Sequence, residues 1–420
     1  MGKILVKDIY CEGQTVSILT EGHRISKIAS HIDVPEDKDT IVLDGRGKAV
    51  IPGFANMHTH AAMTMMRGSR EDEKLQKWLS GIWEMETRLD EELVYWGTKL
   101  ACIEMIKTGT TFFNDQYFFI DAAVTAALES GLRGAHSFVF LDLGDRAKML
   151  DQRDKCECKY EKAKEWNPLN IFEIGIHAPY TVSEDNIIWA CDFAERHNLK
   201  VHIHIAETYQ ELEDCKKIHG CTPVEYLDSL GIFSSNVIAA HCIWLSENDI
   251  KILGKNHVNI VHNINSNLKL ASGYKFKFQE LQDAGANICL GTDGVASSNN
   301  LDMLEAMKTT ALVQKAWRKD PTAIALKQLI ASATRNGYKA FDLDGGIVRE
   351  GALADFSIIN IDNYSFTPCI NFDANLVYSA HSDCVETVVC NGCIVMKDKV
   401  IEGEREVLEQ VRKLYRKIVR

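Results

Sequence analysis

The chain has 420 residues, of which 46% are hydrophobic and 25% charged, enough for one large domain with an accessory unit or for several smaller ones. Its net charge of -12 argues against a nucleic-acid partner, because phosphate recognition needs a basic surface. No apolar run approaches the roughly 18–20 residues that cross a bilayer, so a membrane role is excluded at this level.

The opening "MGKILVKDIYCEGQ" goes straight into a strand pattern, without the apolar stretch of a signal peptide. Residues 1–50 alternate short β-like runs with turns, and "KAVIPG" has the look of a buried strand leading to the histidines of "FANMHTH". The texture then changes to helical patterns separated by short apolar runs. In order these runs are "AVIPGFANMHTH", "TTFFNDQ", "LRGAHSFVF", "IFEIGIHAPY", "KVHIHIAET", "NVIAAHC", "VNIVHN" and "NICLGTD". Segments between them, such as "AAVTAALESG" and "NIIWACDFAERHN", carry helical periodicity. Near the end the β-like character returns, and "REVLEQVRKLYRKIVR" closes the chain as a helix.

Eight buried strands alternating with helices are the footprint of an α/β fold, a (β/α)8 TIM barrel. The expected organisation is a barrel over residues 56–349 and a small β-sandwich domain built from residues 1–55 and 350–405. A C-terminal helix over 406–420 packs outside. The thirteen cysteines are odd in number and scattered, as expected for free thiols in a reducing cytosol. "CNGC", Cys390 to Cys393, reads as a hairpin with an Asn-Gly turn rather than a redox or zinc motif.

In such a barrel the chemistry belongs at the C-terminal strand ends. Those ends carry His58 and His60, His177, His202 and His204, His241, His262 with Asn263, and Asp293. Seven of the fourteen histidines thus gather at one rim, which singly placed structural histidines would not do. His58 and His60 are two apart on a strand and point to the same side. With His204 on the fifth strand and Asp293 on the eighth, they supply three imidazoles and a carboxylate. That donor set suits one divalent metal, with zinc favoured and iron as its competitor. A bound metal brings the pKa of its water toward about 7. "IFEIGIHAPY" contains no lysine of the kind that bridges two metals.

Glu207, three residues beyond His204, is placed to take a proton from the water and pass it to a leaving amine. His241 is positioned to hold the attacking oxygen by a hydrogen bond. His202 reads as a structural residue one layer deeper. Asp115, after the second strand, reads equally as a helix-start residue.

The blocks "PGFANMHTHAAMTMMRG", "VHIHIAET", "AAHCIWL", "HNINSNLKLASG" and "GTDGVASSNN" resemble, in order and spacing, the amidohydrolase superfamily. More narrowly they resemble its 5'-methylthioadenosine/S-adenosylhomocysteine deaminases and the related chlorohydrolases. The resemblance covers nearly the whole chain. It implies the same metal ligands, with Glu207 as proton shuttle and His241 positioning the water. It adds two substrate contacts: Glu86 in "WLSGIWEME" on the sugar hydroxyls and His177 in "HAPY" near the ribose. Glu207 and Asp293 also face the substrate. The arginine that some members use for the homocysteine carboxylate has no clear counterpart: Phe138 stands about there, and Arg146 in "LGDRAK" is the remaining candidate. The implied activity is hydrolytic deamination of an adenine nucleoside (5'-methylthioadenosine, S-adenosylhomocysteine or adenosine), acting on a C–N bond of a cyclic amidine. Action on guanine, a pterin or a triazine is the nearest rival. A catalytically silent barrel serving as an assembly module is the rival from another class. The expected partner is a small purine nucleoside, with no nucleic acid and no membrane, and the chain is expected to form a homo-oligomer.

Overall fold

The computed structural model describes residues 2–33, 39–73 and 75–419; residues 1, 34–38, 74 and 420 of the expected segments lie outside the described residues. Five strands open the chain: β1 (Lys3–Cys11), β2 (Gln14–Glu21), β3 (Arg24–Ala29), β4 (Thr40–Asp44) and β5 (Lys48–Pro52). The eight expected apolar runs then supply β6 (Phe54–Thr59), β7 (Thr110–Asp115), β8 (Arg133–Phe140), β9 (Asn170–Ile176), β10 (Val201–Ile205), β11 (Val237–His241), β12 (Asn259–His262) and β13 (Asn287–Leu290). Three more follow: β14 (Phe356–Asn360), β15 (Val385–Cys390) and β16 (Cys393–Met396).

Strands β6 to β13 form one parallel sheet in sequence order. Every residue of β6, β7, β10, β11 and β12 is buried. Helices cover the outer face of such a sheet and side chains fill the inside, so its strands read as unbroken apolar runs rather than alternating ones. The seam between β6 and β13 is closed by side chains as well as backbone. The Asn56 amide donates to Thr292 Oγ1 at 2.7 Å, and its Oδ1 accepts from the Thr292 N–H at 3.0 Å. The Asp293 N–H donates to the His58 carbonyl at 2.9 Å. Two of the expected metal ligands therefore sit on the seam itself.

The remaining strands form one mixed sheet, ordered β16-β15-β14-β5-β1-β2-β3, with β4 also on β1. The chain's two ends do meet here, as expected. An isolated bridge from Arg24 to Leu353 brings edge strand β3 back to the segment entering β14, so the sheet curls around its own core. That core includes Ile4, Ile18, Val50, Phe356 and Val389. "CNGC" is the β15–β16 hairpin, with Asn391 and Gly392 both at positive φ, and all thirteen cysteines are free.

Two expectations are refined. "KAVIPG" does not run into the histidines as one strand: β5 belongs to the mixed sheet and the barrel strand begins at Phe54. Gly53 makes the switch where a Cβ would lie 2.0 Å from Thr111 Oγ1. Second, residues 361–384 leave the mixed sheet and return to the barrel, where Phe366, Leu376 and Val377 join its core. Ser382 also hydrogen-bonds Asp302 there. The C-terminal segment forms two helices, Glu404–Leu414 and Arg416–Val419. Leu414 and Ile418 are buried in a cluster with Met66, Trp78 and Ile82. Among the described residues no helix is long and apolar enough to cross a membrane.

Candidate metal centre and substrate pocket

His58, the fifth residue of β6, and His60, just past its end, turn their rings to one point as the two-residue period requires. His204 from β10 joins them, and one ligand atom from each of the three lies within 4.8 Å of the others. Asp293 Oδ1 is 3.2 Å from His60 Nε2 and 3.5 Å from His58 Nε2. Ligands on a tetrahedral zinc stand about 3.3 Å apart, given metal–ligand bonds of about 2.0–2.1 Å. The spacing therefore fits a shared ion.

Protonation agrees with this geometry at three of the four groups; at His60 burial is outweighed by the Asp293 carboxylate, which holds the imidazole up at about 9, with a proton that a metal would displace. Burial holds the His58 and His204 imidazoles well below their usual pKa, so both are neutral donors. Burial works against the charge on Asp293, yet the two imidazoles beside it hold its carboxyl well below the usual range. His58 Nε2 is buried and has no hydrogen-bond partner among the described residues. A buried polar atom left in that state is costly unless a ligand meets it. The residues present fit a divalent metal.

Each metal-facing ring is fixed from behind, the arrangement that sets tautomer and orientation in metal sites. With Nε2 turned inward, Nδ1–H of His60 donates to the Gln116 carbonyl at 2.6 Å and that of His204 to the His177 carbonyl at 2.6 Å. His58 Nδ1–H donates to His202 Nε2 at 2.8 Å. His202 Nδ1–H in turn meets Glu173 Oε1 at 3.1 Å, which also accepts from Ser137 Oγ at 2.5 Å. Ser266 Oγ donates to Asp293 Oδ2 at 2.6 Å. His202 does lie deeper, as expected, but it supports His58 directly. Asp115 is buried and accepts from Thr59 Oγ1 and the Ala61 N–H, which pins the turn carrying His60; it does not start a helix.

Glu207 faces the same space. Its Oε1 accepts from Ser272 Oγ at 3.3 Å, and its Oε2 stands 3.9 Å from His241 Nε2. The His241 ring is held through Nδ1 by Asn267 Oδ1 at 3.1 Å and stacks on His204. Asp293 (φ 63°), His241 (φ 72°) and Ala206 (φ 52°) all take the left-handed conformation that non-glycine residues rarely adopt. Backbone strain of this kind gathers where side-chain direction matters more than stability.

Above the ligands opens a narrow pocket, with a cavity volume of about 80 Å³, that is continuous with solvent at its mouth. The helix Leu75–Glu86 gives one wall through Trp78, Leu79, Ile82 and Trp83, and Val139 with Leu141 give another. Glu86 and His177 both line it, as do Glu207, His241 and Tyr180. Burial pushes the Glu86 carboxyl up to about 7, while the Tyr117 hydroxyl, donating at 2.9 Å, opposes that rise. Burial takes the His177 imidazole down to about 4, and its Nδ1 meets Thr181 Oγ1 at 2.8 Å. That contact turns the other ring nitrogen to the pocket. Arg146 is not brought to the site: it is exposed at the start of the helix Arg146–Ala163, behind the Asp145 cap, and is absent from the pocket wall. His262 is also outside the pocket, stacked on Phe276 in the core, and Asn263 is buried.

Sequence reasoning missed Glu173, Gln116, Ser266, Asn267 and Glu211. Glu173 had a legible signal, a carboxylate in the middle of the otherwise apolar "IFEIGI". Gln116 lies just past β7, Ser266 and Asn267 sit on the short helix Ile264–Lys269, and Glu211 is in the first turn of the helix Tyr209–His219, where its spacing reads as an ordinary helix-cap acid.

The chain is similar to several known proteins. The 5'-deoxyadenosine deaminase of Methanospirillum hungatei is 42% identical over 374 residues, 89% of this chain and 83% of that protein. The 5-methylthioadenosine/S-adenosylhomocysteine deaminase 1 of Archaeoglobus fulgidus is 42% identical over 413 residues, 98% of this chain and 96% of that one. The crystal structure of an adenosine deaminase from Xanthomonas campestris with bound zinc matches with a TM-score of 0.92 at 28% identity, over 99% of this chain and 98% of that one. The sequence pattern of the amidohydrolase family matches residues 49–395, and this chain belongs to that family.

Proposed function

We propose that this protein deaminates an adenine nucleoside hydrolytically: water adds at C6, the C6–N bond breaks, and the inosine analogue leaves with ammonia. The observation that carries this reading is a buried His3Asp donor set opening into a pocket that also holds Glu86, Glu207 and His241. His58, His60, His204 and Asp293 would hold one zinc ion. A metal bound there supplies an activated water at neutral pH. Glu207 would carry one proton of the attacking water to the ring nitrogen, where it stays in the inosine product, and then the remaining hydroxyl proton to the amine, which leaves as ammonia. Glu207 and His241 stand 3.9 Å apart and both line the pocket, where His241 would orient the attacking water. Glu86 accepts the ribose hydroxyls, and His177 lies on the sugar side.

The 5' substituent follows from charge. Among the described residues the pocket wall carries no lysine or arginine, and Trp78, Leu79, Ile82, Trp83, Val139 and Leu141 make much of it apolar. A carboxylate or phosphate there would be desolvated without a cation to meet it. An uncharged 5' group, as in 5'-deoxyadenosine or 5'-methylthioadenosine, is therefore favoured over S-adenosylhomocysteine.

The test is ammonia release across a panel of 5'-deoxyadenosine, 5'-methylthioadenosine, adenosine, S-adenosylhomocysteine, guanine and a triazine, run with Glu86→Ala beside the parent. The nucleosides should turn over in the parent, and the variant should lose about 10–100-fold in kcat/KM, the worth of hydrogen bonds to a charged group. If Glu86→Ala matches the parent, or guanine or the triazine is the best substrate, the nucleoside reading fails.

A further inference from the structure

Three helices in this chain begin with the same short pattern, a hydroxyl residue at the cap and an acid three residues later: "TYQE" at Thr208, "TPVE" at Thr222 and "SEND" at Ser246. In an ordinary capping box the acid reaches back to the N–H of the capping residue. Two of the three do so: Glu225 accepts from the Thr222 N–H at 3.0 Å and Asp249 from the Ser246 N–H at 2.6 Å.

Glu211 departs from this pattern. It passes over Thr208 and accepts from the two preceding amides, Ala206 N–H on Oε1 at 2.7 Å and Glu207 N–H on Oε2 at 2.8 Å. Those amides flank the point where the chain leaves β10 in a left-handed turn, with Ala206 at φ 52°. The other side of the same turn is held as well, since the Ala206 carbonyl accepts from the Ile243 and Trp244 N–H groups, both at 3.0 Å. Burial pushes the Glu211 carboxyl up to about 7 despite the two amides that oppose the rise. An acid buried beside a second acid, on a strained turn, is a poor way to stabilise a helix end. It is a good way to fix where the second acid points.

We propose that Glu211 is a positioning residue for Glu207: its two carboxylate oxygens clamp the turn that aims the Glu207 side chain at the reacting atoms. This rests on the role given above to Glu207. The geometry converts a common helix cap into a support for the proton shuttle, and the preorganisation lies in the backbone rather than in a side-chain contact.

The experiment measures kcat, KM and zinc content for Glu211→Ala, Glu211→Gln, Glu207→Gln and the double variant Glu207→Gln/Glu211→Ala, with Glu225→Ala as the ordinary-cap control. Glu211→Ala should lower kcat by about 10–100-fold, with KM changed less than about twofold and zinc per chain unchanged. Glu211→Gln keeps one acceptor and should fall between parent and alanine. The double variant should be no slower than Glu207→Gln alone, because the clamp acts through Glu207. Glu225→Ala should lose stability without a change in kcat. The inference is overturned if Glu211→Ala keeps the parental kcat, if kcat and zinc content fall in the same proportion as in partial unfolding, or if the losses in the double variant add. The shuttle role itself fails separately, if Glu207→Gln alone leaves kcat intact.

Discussion

His58 is constrained at three points at once. Its carbonyl closes the barrel seam to Asp293, its Nδ1 is held by His202, and its Nε2 is buried and free to coordinate. The two-residue spacing of His58 and His60 made this half of the donor set legible in the sequence, since a strand sends alternate side chains to one face. The third imidazole and the carboxylate were legible only through the census of strand ends. The supports were less so, because the hydrogen bond from His58 to His202 crosses from the first barrel strand to the fifth and leaves no local pattern. Glu173→Gln should keep the fold yet weaken zinc binding by about 10–100-fold in a chelator competition, the usual effect of losing such a partner. Glu86 gives a pH signature. Its carboxyl titrates near 7, and the ionised form is the better acceptor for sugar hydroxyls. KM for the nucleoside should therefore rise as pH falls below about 7 and stay level above it, and Glu86→Gln should flatten the acid limb. A parental KM that is level through that range would remove Glu86 from the sugar site.

At the scale of elements, the eight barrel strands were all legible as apolar runs between helical segments, because both faces of each strand are buried. The boundary at Gly53 was not. Val50, Ile51 and Phe54 are apolar on either side of it, and only three-dimensional closeness to Thr111 and Asp355 tells two strands from one. The excursion over residues 361–384 was missed for a similar reason: its short turns have no period, and its apolar residues answer to the barrel. The "CNGC" hairpin was legible, since Asn-Gly supplies the two left-handed residues that a tight hairpin turn needs. Gly392 sits at φ 73°, and a Cβ there would lie 1.8 Å from the Gly22 carbonyl oxygen, at the neighbouring β2–β3 turn. Gly392→Ala should cost about 1–3 kcal/mol in urea unfolding. Zinc content should be unaffected, because the turn belongs to the mixed sheet.

The whole molecule couples its two sheets through several buried contacts, among them Ser357 to Gly109 and Arg133 to Asp355, and braces its pocket from the C-terminal end. Arg133, at the base of β8, donates to Asp355 Oδ2 at 3.1 Å, and the same oxygen accepts from the Tyr338 hydroxyl at 2.9 Å. Asp355 is fully buried, so Asp355→Ala would strand the guanidinium and should cost about 3–5 kcal/mol. At the other side, Ile418 packs with Trp78 and Ile82, and its carbonyl accepts from Arg88 at 2.7 Å. The helix so braced is the one that carries Trp83 and Glu86 to the pocket. Removing residues 416–420 should therefore raise KM severalfold while leaving zinc content in place. The effects on KM and on zinc binding presuppose a metal-dependent deaminase. The most direct measurement is ammonia release from 5'-deoxyadenosine after the metal has been stripped with a chelator and then restored by titration. Activity should vanish on stripping and return in proportion to zinc, reaching its plateau at about one ion per chain. Full activity in the stripped protein, or none at any zinc level in a folded one, would contradict the account.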